Sequence, residues 1–169
     1  MSDPRSHRTD VHIRAFKAGD ERALFAVFFS AVHKVASSDY TAEQIEAWAP
    51  ADLDQGEWQE RMRAINPFVA ELDDEIVGYA DVQPSGYIDH FFVSGGHGGR
   101  GIGRQLMIHI HEAASRLNLS DLTSDVSRTA QPFFAHFGFQ ILEHQDRVLD
   151  GVAIPIARMR KLLDPQVNR

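Results

Sequence analysis

The chain has 169 residues, 43% of them hydrophobic, with 17 basic and 24 acidic side chains for a formal charge of −7, and no cysteine. A domain of about 150 residues buries roughly 68–70% of the surface its unfolded chain exposes, so one packed core is within reach without staples, and the missing cysteine excludes disulfides, thiolate metal sites and a cysteine nucleophile. The acidic balance argues against sequence-independent nucleic-acid binding, and no run reaches the roughly 18 apolar residues of a membrane span.

The polar start, MSDPRSHRTD, lacks the apolar stretch of a secretory signal, so a cytoplasmic protein is expected. Residues 1–10 and 164–169 are expected as tails around a single domain at 11–163. Val11 to Phe16 alternates as a strand, and Gly19-Asp20 turns the chain with Asp20 as N-cap of a helix. From there to about Ala36, Leu24, Val27, Phe28, Ala31 and Val35 recur at helical spacing and predict one apolar face. Thr41 and Gln44 form a capping box ahead of Ile45 and Trp48, Pro50 stops that second helix, and Asp54 to Ala64 makes a third.

From Asn66 the period becomes that of strands. Pro67 to Leu72 and Ile76 to Val82 flank the hairpin residues Asp73-Asp74-Glu75, and after Pro84-Ser85-Gly86 comes an apolar strand, Tyr87 to Val93. A glycine-rich loop, Ser94 to Arg100, leads into Ile102, Leu106, Met107, Ile110, Ala113, Ala114 and Leu117 at helical spacing. Leu122 to Val126 is a strand, Thr129 to Phe137 a short helix with Gly138 as its C-terminal stop, and Phe139 onward is strand again. Asp150-Gly151 is a type I′ hairpin signal, and Pro155 in the last strand requires an edge position or a bulge. The order is α+β.

Glycines ahead of a helix let backbone N–H groups approach an anion, and the helix dipole adds positive charge there. Arg100 and Arg104, one turn apart, are placed to reach ligand phosphates; the plain alternative is a mobile surface loop with solvated arginines. Gly96, Gly98 and Gly101 satisfy G-x-G-x-x-G, with Asp121 or Asp125 about 20 residues on, which by itself reads as a dinucleotide fingerprint. The fingerprint should open a doubly wound parallel domain, whereas here it follows an antiparallel series and leaves too little chain for the remaining βα units.

The run Val93-Ser94-Gly95-Gly96-His97-Gly98-Gly99-Arg100-Gly101-Ile102-Gly103 resembles the acetyl-CoA signature of the GCN5-related N-acetyltransferases (GNAT), Val-x-Pro-x-x-[Gln/Arg]-Gly-x-Gly-[Ile/Val]-[Gly/Ala]. Ser127-x-x-Ala130-x-x-Phe133-Phe134-x-x-Phe137-Gly138-Phe139 is similar to that family's second landmark, and the element order matches from about Val11 to Arg160. The segments from Tyr40 to Trp48 and Tyr87 to Val93 look like a small bacterial subgroup, the YafP-like proteins. The resemblance implies the GNAT fold: a mixed, mainly antiparallel central sheet with helices on both faces, splayed near the glycine loop to admit acetyl-CoA.

It also implies roles. The cofactor diphosphate would rest on backbone amides of Gly98, Gly99, Gly101, Ile102 and Gly103, with Arg100 and Arg104 near, and pantetheine would pair like an extra strand with Phe91 and Val93. Gly98 stands where the family has Gln or Arg, which raises the ordering cost by about 0.5–1 kcal/mol. Acetyl transfer to an amine needs a base, dipoles at the carbonyl oxygen and an acid for the thiolate. Counting by twos from Val93 puts Phe91, Asp89 and Tyr87 on one face and Phe92, His90 and Ile88 on the other, so Asp89 is the expected base with Tyr87 beside it, and His90 is catalytic only if a bulge intervenes. The family's thiolate-protonating tyrosine falls at Phe134, which has no hydroxyl; Ser127, also expected against the pantetheine arm, Tyr79 or water remain as acids.

Other constellations read as structure. His109, His111 and Glu112 lack the spacing of a helical metal site, so no metal is expected. The pairs Phe28-Phe29, Phe91-Phe92 and Phe133-Phe134 read as core, and Tyr40, Trp48 and Trp58 lie in the region that lines the acceptor site in the family, although Trp48 equally completes an apolar helix face. The expected function is direct acetyl transfer from acetyl-CoA to an amine of a small molecule or peptide, a cationic one given the −7, and the resemblance allows a homodimer. The alternatives are an acyl-CoA-binding or sensing domain, motivated by Phe134 and Gly98, and an NAD-dependent oxidoreductase, motivated by the glycine fingerprint.

Overall fold

The computed structural model describes residues 10–164. The expected tails therefore lie outside the described residues apart from Asp10 and Asp164. The elements run β1 (His12–Ala15), α1 (Glu21–Ser30), a π-turn (Ala31–Val35) and a 3₁₀ turn (Ala36–Ser38), α2 (Ala42–Trp48), α3 (Gln55–Ile65), β2 (Phe68–Leu72), β3 (Glu75–Ala80), β4 (Tyr87–Ile88), β5 (Phe91–Val93), α4 (Ile102–Arg116), β6 (Asp121–Ser127), α5 (Gln131–His136), β7 (Gln140–Leu149) and β8 (Val152–Leu162). Among the described residues no helix is long and apolar enough to cross a membrane.

Two four-stranded sheets, β1-β2-β3-β5 and β4-β6-β8-β7, meet at the short stretch between β4 and β5. Every pairing is antiparallel except β4 with β6. One face packs on α4, whose Ile102, Leu106, Met107, Ile110 and Ala114 bury against Val77, Ile88, Leu122 and Met159. The other packs on α1, α2 and α3 through Leu24, Phe28, Ile45, Trp58 and Met62 against Val69, Tyr79 and Ile154. An α+β sheet with helices on both faces is the expected fold class. A single parallel pair leaves no doubly wound unit, which removes the dinucleotide reading of the glycines.

Local chemistry sets most boundaries. Thr41 accepts from the Gln44 amide while the Gln44 side chain accepts from Thr41, the complete capping box. Asp73 and Asp74 (φ 52° and 62°) and Asp150 and Gly151 (φ 47° and 73°) make two-residue hairpin turns with both central φ positive. Pro155 stands opposite Asp146 of β7 but one residue past the end of the pairing of β8 with β6, and its carbonyl turns to that open side to accept from Tyr40, so its missing N–H costs no ladder bond.

Three expectations change. Asp20 occupies the N-cap position, but its carboxylate accepts from the Lys17 amide and the Arg14 guanidinium instead of the first-turn amides of α1. The first helix does not continue regularly to Ala36: the π-turn from Ala31 inserts extra residues, so Val32 and Ala36 become buried and Val35 is 44% exposed. The strand Tyr87 to Val93 is not continuous, and that interruption builds the site.

Candidate active site

β4 pairs with β6, whereas β5 pairs only with β3, so the chain changes sheets at Asp89-His90. Ile88 and Phe91 both pack on the α4 side, while Asp89 and His90 both face α3, Asp89 through an ion pair with Arg61 and His90 through its ring against Trp58. Two consecutive residues on one face are a β-bulge, which corrects the expected parity: Tyr87 and Asp89 no longer share a face with Phe91 and Val93, and His90 joins Asp89. A buried carboxylate, Asp81, accepts from both bulge amides, at 3.1 Å from Asp89 N and 2.6 Å from His90 N.

Past the bulge, β5 and the end of β6 stand apart. The gap is a cleft of about 270 Å³ lined by Phe91, Val93, Ser127, Ala130 and Phe133, by Gly98 and Gly103 of the glycine loop and helix start, and by Ala31, Val35 and Ala36 of the irregular turns after α1. The π-turn thus turns Val35 toward the cleft rather than the core. His90 O accepts from Asp81 N, and Ser94 N donates to Val77 O. Alternate residues of this strand therefore bond β3, and the backbone N–H and C=O of Phe91 and Val93 point the other way, into the cleft.

The glycine loop runs from the end of β5 to α4. Gly95 N donates to Ser30 Oγ at 3.0 Å, and a Cβ on Gly95 would stand 2.7 Å from Ser30 O and 2.8 Å from Lys34 Cβ, so the close approach to α1 needs glycine. Gly101, at φ 77°, turns the chain into α4, whose first-turn amides at Ile102, Gly103 and Arg104 have no carbonyl one turn earlier. Arg100 and Arg104 are exposed beside them. Gly98 and Gly99 face open space.

Several titratable groups lie around the bulge, on the side facing α3 and β6. Asp89 is 2.5 Å from Arg61 Nη2 and only 11% exposed. Tyr87 donates to Asp125, which is also paired to Arg158; burial and the Asp125 charge push the Tyr87 hydroxyl up to about 12. His90 Nδ1 lies 3.0 Å from the Tyr79 hydroxyl, and its ring is enclosed by Phe28, Trp58 and Phe92. Burial pushes His90 down to about 4 and pushes Tyr79 well above the usual tyrosine range, so both are neutral near pH 7. His90 is thus a core histidine with its Nδ1 engaged, and the Tyr79 hydroxyl is engaged with it.

The remaining expected residues divide. Ser127 lines the cleft while its Oγ accepts from the Ala130 amide, closing the turn between β6 and α5; the N-cap of α5 is Ala130, so Ser127 does not cap that helix. Phe134 is 2% exposed and packs among Phe91, Phe133 and Phe139 behind the cleft wall; its neighbour Phe133 lines the cleft instead. Tyr40 donates to Pro155 O and accepts from Arg128 N, and Trp48 rests on Tyr40 and Phe92. Trp58 is core, its indole donating to Glu21 O. Among the described residues no group of three or more His, Asp or Glu is placed to hold a metal; His111 bonds Met107 O and Lys161, away from the His109–Glu112 pair. Asp81 and Arg61 escaped the sequence reading. A carboxylate closing the apolar run Val77 to Ala80 was the available signal for Asp81, and an arginine on a polar helix offered none for Arg61.

Comparison with known proteins points one way. The domain model described as an acetyltransferase (GNAT) domain matches residues 36–163. The chain is 34% identical over 136 residues, 80% of its own length and 85% of the relative's, to the uncharacterized N-acetyltransferase YafP of Escherichia coli (strain K12). A solved GCN5-related N-acetyltransferase from Rhodopseudomonas palustris superposes with a TM-score of 0.86 at 27% identity, over 90% of this chain and 95% of the other. yncA from Salmonella typhimurium, solved with its cofactor acetyl-CoA, has the same fold at a TM-score of 0.66 and 18% identity, over 95% and 98% of the two chains.

Proposed function

The chain belongs to the acetyltransferase (GNAT) family and is an acyl-CoA-dependent N-acetyltransferase; we propose that it moves the acetyl group of acetyl-CoA directly to the amine of a small molecule or peptide. The observation that carries this reading is the cleft between β5 and β6, bordered by unpaired strand edge and opening onto the amides at the start of α4. Pantetheine fits as a strand beside Phe91 and Val93, with Ser127 across from it. The diphosphate is assigned to the amides of Gly98, Gly99, Gly101, Ile102 and Gly103, with Arg100 and Arg104 supplying a local positive site on an acidic protein. Phe134 packs edge-on to Phe91 beneath the cleft wall, within the aromatic layer next to the expected pantetheine arm.

In the proposed reaction Asp89, oriented by Arg61, takes the ammonium proton of the acceptor directly or through one water. The amine then attacks the thioester carbon, and the C–S bond breaks as the amide forms. With no cysteine in the chain no cysteinyl intermediate can form, consistent with direct transfer. Tyr87 stands beside Asp89, held by Asp125. The second proton of the attacking nitrogen is relayed to the departing thiolate through the Ser127 hydroxyl or water, since Tyr79 is bonded to His90 and Phe134 has none to give. The net charge of −7 favours a cationic amine.

Titration calorimetry with acetyl-CoA and NAD(H), followed by thiol release from acetyl-CoA across primary amines, tests the proposal. Acetyl-CoA should bind, NAD(H) should not, and at least one amine should accelerate thiol release. The missing hydroxyl at position 134 favours a second reading, an acyl-CoA-binding domain. Binding without thiol release would select it.

A further inference from the structure

We propose that Asp81 is a positioning residue for acetyl transfer: its buried carboxylate fastens the Asp89–His90 bulge and so holds the Asp89 carboxylate on the acceptor-facing side of the cleft. This rests on the acetyltransferase reading above, in which Asp89 is the base.

Asp81 is 1% exposed at the end of β3. Its Oδ1 accepts from Asp89 N at 3.1 Å and His90 N at 2.6 Å. Its Oδ2 accepts from Gln83 Nε2 at 2.6 Å, and the same amide group donates to Ile65 O at the end of α3. Its own N–H donates to His90 O at 3.1 Å. The position therefore ties the bulge to β3 and, through Gln83, to the helix that carries Arg61.

The need for an oxygen at this place follows from strand geometry. Backbone carbonyls of a neighbouring strand point toward a partner at every second residue, so a strand edge cannot meet two consecutive amides that point the same way. One carboxylate oxygen, with two lone pairs, can. Without it the bulge leaves two buried N–H groups unpaired, and the chain gains by straightening. Pairing to β3 and packing on α4 hold Phe91 and Val93, so the change falls on the residues before them: Asp89 turns toward the α4 face and away from Arg61. The cofactor edge of the cleft stays as it is. The charge on Asp81 is balanced by three donors on two oxygens, which is why the group is tolerated where burial disfavours it.

Asp81→Asn keeps one oxygen for the two amides, whereas Asp81→Ala keeps none. With ¹⁵N-labelled protein, acetyl-CoA titration, and thiol release measured with the best primary amine, or with water where no amine is used, four results are expected. In Asp81→Ala the acetyl-CoA Kd stays within about twofold of wild type. kcat falls about 100-fold, the cost of misplacing a reacting group by about 1 Å, with KM for acetyl-CoA unchanged. Amide exchange at Asp89 and His90 accelerates at least about tenfold while the rest of β3 and α4 stays protected. Asp81→Asn restores most of both. Wild-type kcat in Asp81→Ala overturns the proposal, as does a loss of kcat that tracks lost acetyl-CoA binding and global protection, since either makes the clamp structural only. If Asp81→Ala does not fold, Asp81→Ser, which retains a shorter acceptor, carries the same readouts. Should wild type release no thiol under any condition, the transferase reading fails, and exchange at Asp89 and His90 still decides whether Asp81 holds the bulge.

Discussion

The Phe134 ring stands edge-on to that of Phe91, with centroids 5.6 Å apart and 68° between the planes, beneath the strand that borders the cleft. A para-hydroxyl on that ring is the smallest change that adds a proton donor next to β5. Phe134→Tyr is expected to raise kcat about tenfold or more if thiolate protonation limits the wild type, with acetyl-CoA affinity unchanged. In the unliganded protein the added hydroxyl enters a buried aromatic cluster, so a stability loss of about 1–3 kcal/mol should accompany the gain. Steady-state thiol release and thermal melting of the same variant measure both, and an unchanged kcat would show that the acid step does not limit turnover.

Asp89→Asn removes the proposed base while keeping its size. kcat should fall by roughly 10²–10⁴, with the Kd for acetyl-CoA nearly constant, because the cofactor edge proposed above lies on Phe91, Val93 and the loop. Turnover at the wild-type rate would take Asp89 out of the mechanism. The side chain is held by Arg61, so Arg61→Gln should reproduce part of the loss by freeing the carboxylate to rotate.

Gly98 and Gly95 behave oppositely. A Cβ at Gly98 meets open space, and Gly98→Gln restores the residue usual in the family's signature; it should tighten acetyl-CoA binding about twofold to fivefold by lowering the entropy cost of ordering the loop. A Cβ at Gly95 would collide with Ser30 O and Lys34 Cβ, so Gly95→Ala should push the loop off α1 and weaken binding at least about tenfold. Calorimetric titration of the two variants against wild type checks the pair, and equal effects would refute the assignment of the loop.

Asp81 and His90 couple stability to pH with opposite signs. Burial pushes Asp81 up to about 6, so its contribution is fully present below the unfolded carboxylate range and is lost as pH rises through about 6. Burial pushes His90 down to about 4, so its contribution is present above the unfolded value of about 6.5 and is lost as pH falls from there toward 4. Each amounts to something on the order of 3 kcal/mol, and between about pH 4 and 6 the two oppose each other. Denaturant melts across that window should show Asp81→Asn losing stability toward acid faster than wild type, and His90→Gln losing it more slowly. Parallel profiles for all three proteins would contradict the assignment.

Much of the molecule follows from local chemistry that a sequence displays directly. The capping box at Thr41 and Gln44, the two hairpins at Asp73-Asp74 and Asp150-Gly151, the apolar stripe of α4 and the glycine loop before it each depend on residues within a few positions of one another. The same locality made the acetyl-CoA signature and the family legible, because the signature is one unbroken run from Val93 to Gly103. What only the tertiary structure decided is which side chains share a face of the interrupted strand. A period of two from Val93 predicted Asp89 with Phe91, but Asp81, just past the end of β3, takes both bulge amides and turns Asp89 and His90 to one side. The π-turn after α1 likewise rotated Val35 out of the core. Both are one-residue slips in a regular period, set by partners on other elements, and a slip of one residue reverses every face that periodicity assigns beyond it.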